Sequence, residues 1–316
     1  MIDWATCLRA PVVTGVFVLA ALLAGCATPQ VATLDGRWPA DLPARMELSG
    51  VPFYPQEYYE CGPAALAMAA GAAGVQVLPE TLVEQVYLPG REGSLQLEML
   101  IATRRQGLVA YPLQPRVEAV LREVAAGHPV VVFQNLSFSW YPVWHYAVVI
   151  GFDQARNTLV LHSGRTARME MSLYAFERTW ARAQYWSMVA LAPTRLPATV
   201  NPEAYAAAVA ALERINPGAA QTAYASALQV WPDDRTTLLG AGNTAYAMGQ
   251  RDAAAQAYRT AVRLHPDFAE AWNNLAQVLL DLDQHREASE AIIKAVALGG
   301  VRLPRYQELQ LKINKK

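Results

Sequence analysis

The sequence predicts an α+β domain, with helices packed on an antiparallel sheet, followed by an all-α repeat array. Three observations predict it. Helix-period stretches are followed by strand-like apolar runs between about residues 51 and 193. Near residue 200 the strand signals stop and the composition turns alanine-rich. Beyond that point a motif recurs at a fixed interval. A chain of 316 residues has room for about two domains, each burying its own core. The formal net charge of -1 gives no basic face for nucleic acid, and 53% apolar residues argue against disorder.

The elements follow in order. "MIDWATCLRA" leads with Arg9 and is followed by the apolar run "PVVTGVFVLAALL", too short to span a bilayer. That is the build of a signal peptide, expected over residues 1–25. Leu23-Ala24-Gly25-Cys26 resembles a bacterial lipobox, which implies cleavage before Cys26 and diacylation of its thiol. The next residue is Ala27 and not Asp, which by resemblance to Gram-negative lipoproteins favours the outer membrane, facing the periplasm. Residues 26–48 hold three prolines and no periodicity, and read as lipid anchor and tether.

Residues 49–193 carry the mixed domain. A small-residue helix starts at Cys61, and "SLQLEMLIATRRQ" and "RVEAVLREVAAG" are apolar-periodic. Four strand-like runs come next: "HPVVVFQ" (128–134), "WHYAVVIGF" (144–152), "TLVLHS" (158–163) and "YWSMVALAP" (185–193). Two prolines in "TRLPATVNP" mark a linker at 194–200, so a chain ending near Arg195 is expected to keep the first domain. Over 201–316, Trp231-Pro232-Asp233 returns as His265-Pro266-Asp267, and Tyr224, Tyr258 and Ile292 recur in step. Ala227, Ala261 and Ala295 keep the same interval. This resembles the tetratricopeptide repeat, over three units, with "RLPRYQELQLKINKK" as a polar capping helix. The resemblance implies a protein partner on the concave face, where Tyr205, Asn243, Tyr246, Asn273, Asn274 and Gln277 are expected.

Three cysteines are present. Cys7 leaves with the signal and Cys26 carries lipid, so Cys61 is the one thiol of the mature chain and has no intramolecular disulfide partner. In an oxidising compartment such a thiol is a liability unless buried or used. Gly62 and Pro63 follow it at a helix start, where the positive end of the dipole favours thiolate. A cysteine nucleophile also needs a base and a group to hold the charge developing on the attacked carbonyl oxygen. His145 opens a strand and suits the first role; Gln56 suits the second, with the Cys61 amide as the other donor. His128, His162, His265 and His285 complete the histidines; the set has no metal-ligand spacing, and no cofactor is expected.

"VPFYPQEYYECGPAALAM", "GHPVVV" and "HYAVVIGFD" together resemble the papain-like leader peptidases that process bacteriocin precursors, and their stand-alone relatives. The likeness rests on Gln56, Cys61-Gly62-Pro63 and His145 with Gly151, and implies a papain-like cysteine peptidase fold. The family places an aspartate on the next strand to orient the histidine. Asp153 lies eight strand residues from His145, roughly 26 Å away. A hairpin centred on Ala155 sets 162–165 opposite the start of the first strand, and there the chain reads His162-Ser163-Gly164. A neutral His162 or the Ser163 hydroxyl is left to hold the tautomer, and neither supports an imidazolium as a carboxylate does. The aromatics of "FSWYPVWHY" line a substrate groove or pack the core. The leading reading is a lipid-anchored cysteine peptidase acting on a peptide or protein through a Cys61 thioester. A protease fold serving as a periplasmic scaffold is the main rival, and an acyl or amide transferase on the cell wall is a third.

Overall fold

The structure, a computed structural model, describes residues 28–55, 61–88, 90 and 93–315. The chain runs α1 (Pro29–Gly36), β1 (Arg45–Glu47), α2 (Cys61–Ala72), α3 (Pro79–Val86), β2 (Tyr87–Leu88) and β3 (Gly93–Ser94). It continues with α4 (Gln96–Arg105), β4 (Val109–Pro112), α5 (Val117–Ala125), β5 (Val130–Asn135), β6 (Trp144–Asp153) and β7 (Thr158–Ser163). β8 (Thr166–Ser172), α6 (Leu173–Ala181) and β9 (Ser187–Leu191) complete the mixed domain. Helices α7 (Pro202–Glu213), α8 (Pro217–Val230), α9 (Arg235–Ala247), α10 (Arg251–Leu264), α11 (Ala269–Asp281), α12 (His285–Leu298) and α13 (Leu303–Ile313) follow.

Seven strands form one sheet in the order β4-β9-β5-β6-β7-β8, with β1 added on β6. Its paired strands are antiparallel, as the hairpin-type spacing of the apolar runs predicts. Apolar residues stand at successive positions of β5, β6 and β9 because both faces are covered. On one face Val131, Tyr146, Val148, Ile150 and Met188 pack under α2, α3 and α4. On the other, Val130, Val132, Ala147, Val149 and Val189 pack with α5 and α6. Helix α2 is buried from Gly62 to Ala70. Its alanines and glycines leave little side-chain bulk between its axis and the sheet. Gly151 has a similar role, since a Cβ there would stand 2.7 Å from the Met46 carbonyl oxygen of β1.

Two parts depart from the sequence reading. The segment expected as a free tether forms α1, whose Val31 and Leu34 are buried in the core. Gln30 and Val31 donate their backbone N–H groups to the buried Glu177 of α6. Two apolar residues three apart are too short a pattern to show as periodicity. The expected linker is also pinned. Glu123 of α5 accepts from Ala198 N, Thr199 N and Thr199 Oγ1, and its carboxylate also meets His128 Nδ1.

The seven C-terminal helices form three antiparallel pairs and a cap. Tyr224 and Tyr258, one repeat apart, lie against Gly240 and Gly242 of α9. The core does not divide at residue 200. Tyr205, Val209, Leu212 and Tyr224 of α7 and α8 join the core beneath the sheet, while α9 to α13 form a second core. The first repeat unit thus belongs by packing to the sheet domain.

Candidate active site

Cys61 is the first residue of α2, and Pro63 stands in its first turn. Gly62 is required for close approach, because a Cβ there would fall 2.3 Å from Ser94 Oγ. Burial pushes the Cys61 thiol up, while the backbone N–H groups of Tyr146, Gly62 and Cys61 face the sulfur and act the other way. This direction runs against the dipole-lowered thiol expected from the helix start. Desolvation of a buried thiolate outweighs the three backbone donors.

The Tyr146 contact locates the sulfur. Phe133 of β5 donates its N–H to the Trp186 carbonyl, away from β6, and pairs with Tyr146. Tyr146 therefore points its own N–H away from β5, toward β7. That N–H is one of the backbone donors facing the Cys61 sulfur. The Cys61 sulfur thus lies beside the residue that follows His145.

His145 pairs in register with Gln134, and its Nε2 lies 2.9 Å from Ser163 Oγ. Burial lowers its pKa to about 4, so the ring is neutral at neutral pH. Of the two residues left open to orient this ring, the structure brings Ser163 to it and takes His162 elsewhere. Residue 163 continues the register opposite Ala147, on the strand face that 145 shares, while 162 points to the other face. There His162 rings against Phe53 at 5.1 Å, its Nε2 approaches the Val51 carbonyl, and its Nδ1 accepts the Arg168 N–H. Gln56, expected to hold the oxyanion, and Cys26 both lie outside the described residues.

Other expectations meet their surroundings here. The aromatics beside His145 divide: Tyr146 is buried, and Trp144 stacks on Phe133 at 5.2 Å yet stays half exposed. His128 is buried against Glu123. Among the described residues no group of three His, Cys, Asp or Glu has the geometry to hold a metal ion. The Tyr146 N–H at the sulfur is the feature that sequence reasoning missed. It is a backbone group, so no side chain at position 146 signals it.

In the repeats, Asn243 Oδ1 accepts from Tyr258 Oη–H at 2.8 Å and from Asn274 Nδ2 at 2.9 Å. Asn273 Nδ2 in turn donates to Asn274 Oδ1. These asparagines tie α9, α10 and α11 together. Their unfavourable mid-helix propensity is offset by bonds between helices, a stabilising use that the sequence reading did not assign.

The Peptidase_C39 like family model matches residues 48–188. Two repeat models, a TPR repeat and a Tetratricopeptide repeat, match 242–283 and 269–298. Among solved structures, a putative C39-like peptidase from Bacillus anthracis is 18% identical, with a TM-score of 0.39, covering 47% of this chain and 98% of that one. A double glycine motif protease from an AMS/PCAT transporter, in complex with the leader peptide, is 21% identical over the same shares, with a TM-score of 0.34. The Sgt2 TPR domain from Aspergillus fumigatus is 23% identical, with a TM-score of 0.33, covering 36% of this chain and 80% of that one. No curated protein matches the chain. Residues 48–188 are thus a Peptidase C39-like domain, and the chain joins it to tetratricopeptide repeats.

Proposed function

We propose that this protein is a lipid-anchored cysteine peptidase that cleaves a peptide or protein substrate, with Cys61 as nucleophile and His145 as base and acid. One observation carries the reading: the Cys61 sulfur lies against the N–H next to His145, whose Nε2 is held by Ser163. With Nε2–H donated to Ser163 Oγ, Nδ1 is the basic nitrogen. Both reactive groups start neutral. His145 Nδ1 takes the thiol proton as sulfur attacks the scissile carbonyl, giving a tetrahedral oxyanion. The imidazolium then gives that proton to the leaving amine, and a thioester remains on Cys61. Water, deprotonated by the same nitrogen, releases the carboxylic acid and restores the thiol. The Cys61 amide and the Gln56 side chain are the donors we assign to the oxyanion. The anchor is Cys26, at the periplasmic face of the outer membrane, and the repeats recognise a protein partner.

A second reading, a binding scaffold on a peptidase fold, is favoured by a specific observation. Burial depresses His145 and raises Cys61, so neither ion of a thiolate–imidazolium pair is stabilised at rest. Hydrolysis of a peptide library by wild type and by Cys61→Ala separates the two. We expect cleavage by wild type, its loss in Cys61→Ala, and a melting temperature within a few degrees. Equal cleavage by both proteins removes Cys61 from the chemistry; none by either leaves the scaffold.

A further inference from the structure

We propose that the hairpin tip between β5 and β6, residues 136–143, and the adjoining Trp144 seat in the lipid interface of the membrane to which Cys26 is anchored, which sets the candidate active site against the bilayer surface. The inference rests on the anchor assigned to Cys26 above. "LSFSWYPVW" (136–144) contains no charged residue. Trp140 is 80% exposed, Tyr141 67%, Phe138 61% and Trp144 50%. Tryptophan and tyrosine with this exposure suit the membrane–water boundary, where the ring is apolar and the polar edge stays wet. A contiguous exposed apolar patch of this kind marks a contact with another phase or molecule.

The tip is built to keep these rings out. Asn135 is 1% exposed, and its Oδ1 accepts from Ser137 N and Val143 N while Nδ2 donates to the Phe138 carbonyl. Leu136 N donates to Val143 O, and Phe138 stacks on Trp140 at 5.4 Å. A hairpin closed by these bonds cannot fold its aromatics back onto the domain without breaking them.

The occupant follows from where the N-terminal chain docks. Only Ala27 and Thr28 separate Cys26 from α1 in the sequence. Gln30 and Val31 are fixed on Glu177 of α6. The same helix reaches the root of the hairpin: Thr179 Oγ1 meets Gln134 Nε2, and Arg182 Nε donates to the Asn135 carbonyl. From Glu177 to Arg182 the helix rises about 7.5 Å. Four residues of chain span at most roughly 14 Å, which bounds the distance from Cys26 to Gln30. A lipid on Cys26 is therefore within reach of the membrane surface that we assign to the aromatic tip.

The test uses the full-length protein, with its Cys26 peptide checked by mass spectrometry. It is reconstituted into phosphatidylethanolamine–phosphatidylglycerol vesicles with brominated acyl chains. Tryptophan fluorescence is quenched by bromine near the headgroup end, and Trp140→Ala lowers the quenched fraction about two-fold or more. Trp272→Phe, in the repeats, does not lower that fraction. Trp140→Ala should keep its melting temperature, since the side chain touches little of the core. Acylated Cys26 with equal quenching in wild type and Trp140→Ala overturns the docking and leaves the anchor standing. Unmodified Cys26 overturns the anchor and the docking with it. A Trp140-dependent blue shift with an apolar peptide, and none with vesicles, overturns the docking in favour of a peptide contact.

Discussion

Ser163 and His162 are adjacent in sequence, yet only Ser163 reaches His145, at 2.9 Å from Nε2. Removing its oxygen frees the ring to rotate and to exchange tautomers. Ser163→Ala should lower kcat/KM on the order of ten- to a hundredfold, less than the full general-base contribution lost in His145→Ala. His162→Ala should change it far less, and a loss there equal to that of Ser163→Ala would contradict the placement. His145 also makes stability depend on pH. Its folded pKa of about 4 lies below the ordinary histidine value near 6.5, so on acidification the unfolded chain takes up the proton first. The stability from a neutral His145 is complete above pH 6.5 and is lost between there and about 4, on the order of 3 kcal/mol at most. Melting curves from pH 7 to 4 should fall more steeply for wild type than for His145→Gln.

Elements are joined through positions where bulk is excluded. Gly151 lets the β1 backbone pass beside β6, at a bulge between Val149 and Gly151. Gly151→Ala pushes a methyl into the Met46 carbonyl and should cost about 1–3 kcal/mol, read as a lowered denaturation midpoint. An unchanged midpoint would mean that β1 moves aside freely. The strand containing His145 was legible from its apolar run, with Trp144 to Asp153 observed against 144–152 expected. Helix α6 carries the Glu177 to which α1 docks, and its capping Ser172 accepts the Ala175 N–H. Its strand-like approach through the exposed β8 hid that start.

Across the whole molecule, the first repeat unit and the pinned 194–200 segment act as a third layer of the sheet domain. A chain ending near Arg195 would expose the core positions that Tyr205, Val209 and Leu212 now cover. That lost burial is on the order of 5 kcal/mol. We therefore expect a chain ending near Pro232 to melt cooperatively and one ending near Arg195 to aggregate or melt far lower, which differential scanning calorimetry distinguishes. The sequence expectation for the shorter chain was the opposite. Glu123 adds to the loss. Burial opposes its charge, but His128 and Thr199 hold its carboxyl below the usual range, and three of its donors lie beyond Arg195.

What the sequence by itself determined is whatever repeats or alternates along the chain. The β strands from Val130 to Ser163, the helix opened by Cys61-Gly62-Pro63, and the 34-residue interval linking Tyr224 to Tyr258 are local patterns that burial enforces. Cys61 and His145 could be named as candidates because a thiol at a helix start and a histidine at a strand start have their own local signals. Only the tertiary structure decided what depends on neighbours distant in the chain. It chose Ser163 over His162, since one step along β7 reverses the face a side chain presents. It made the thiol and the imidazole neutral, since desolvation is set by the layers packed over them and not by residues beside them in sequence. It also turned the expected tether into a docked helix, because Val31 and Leu34 find an apolar surface that exists only once the sheet has formed.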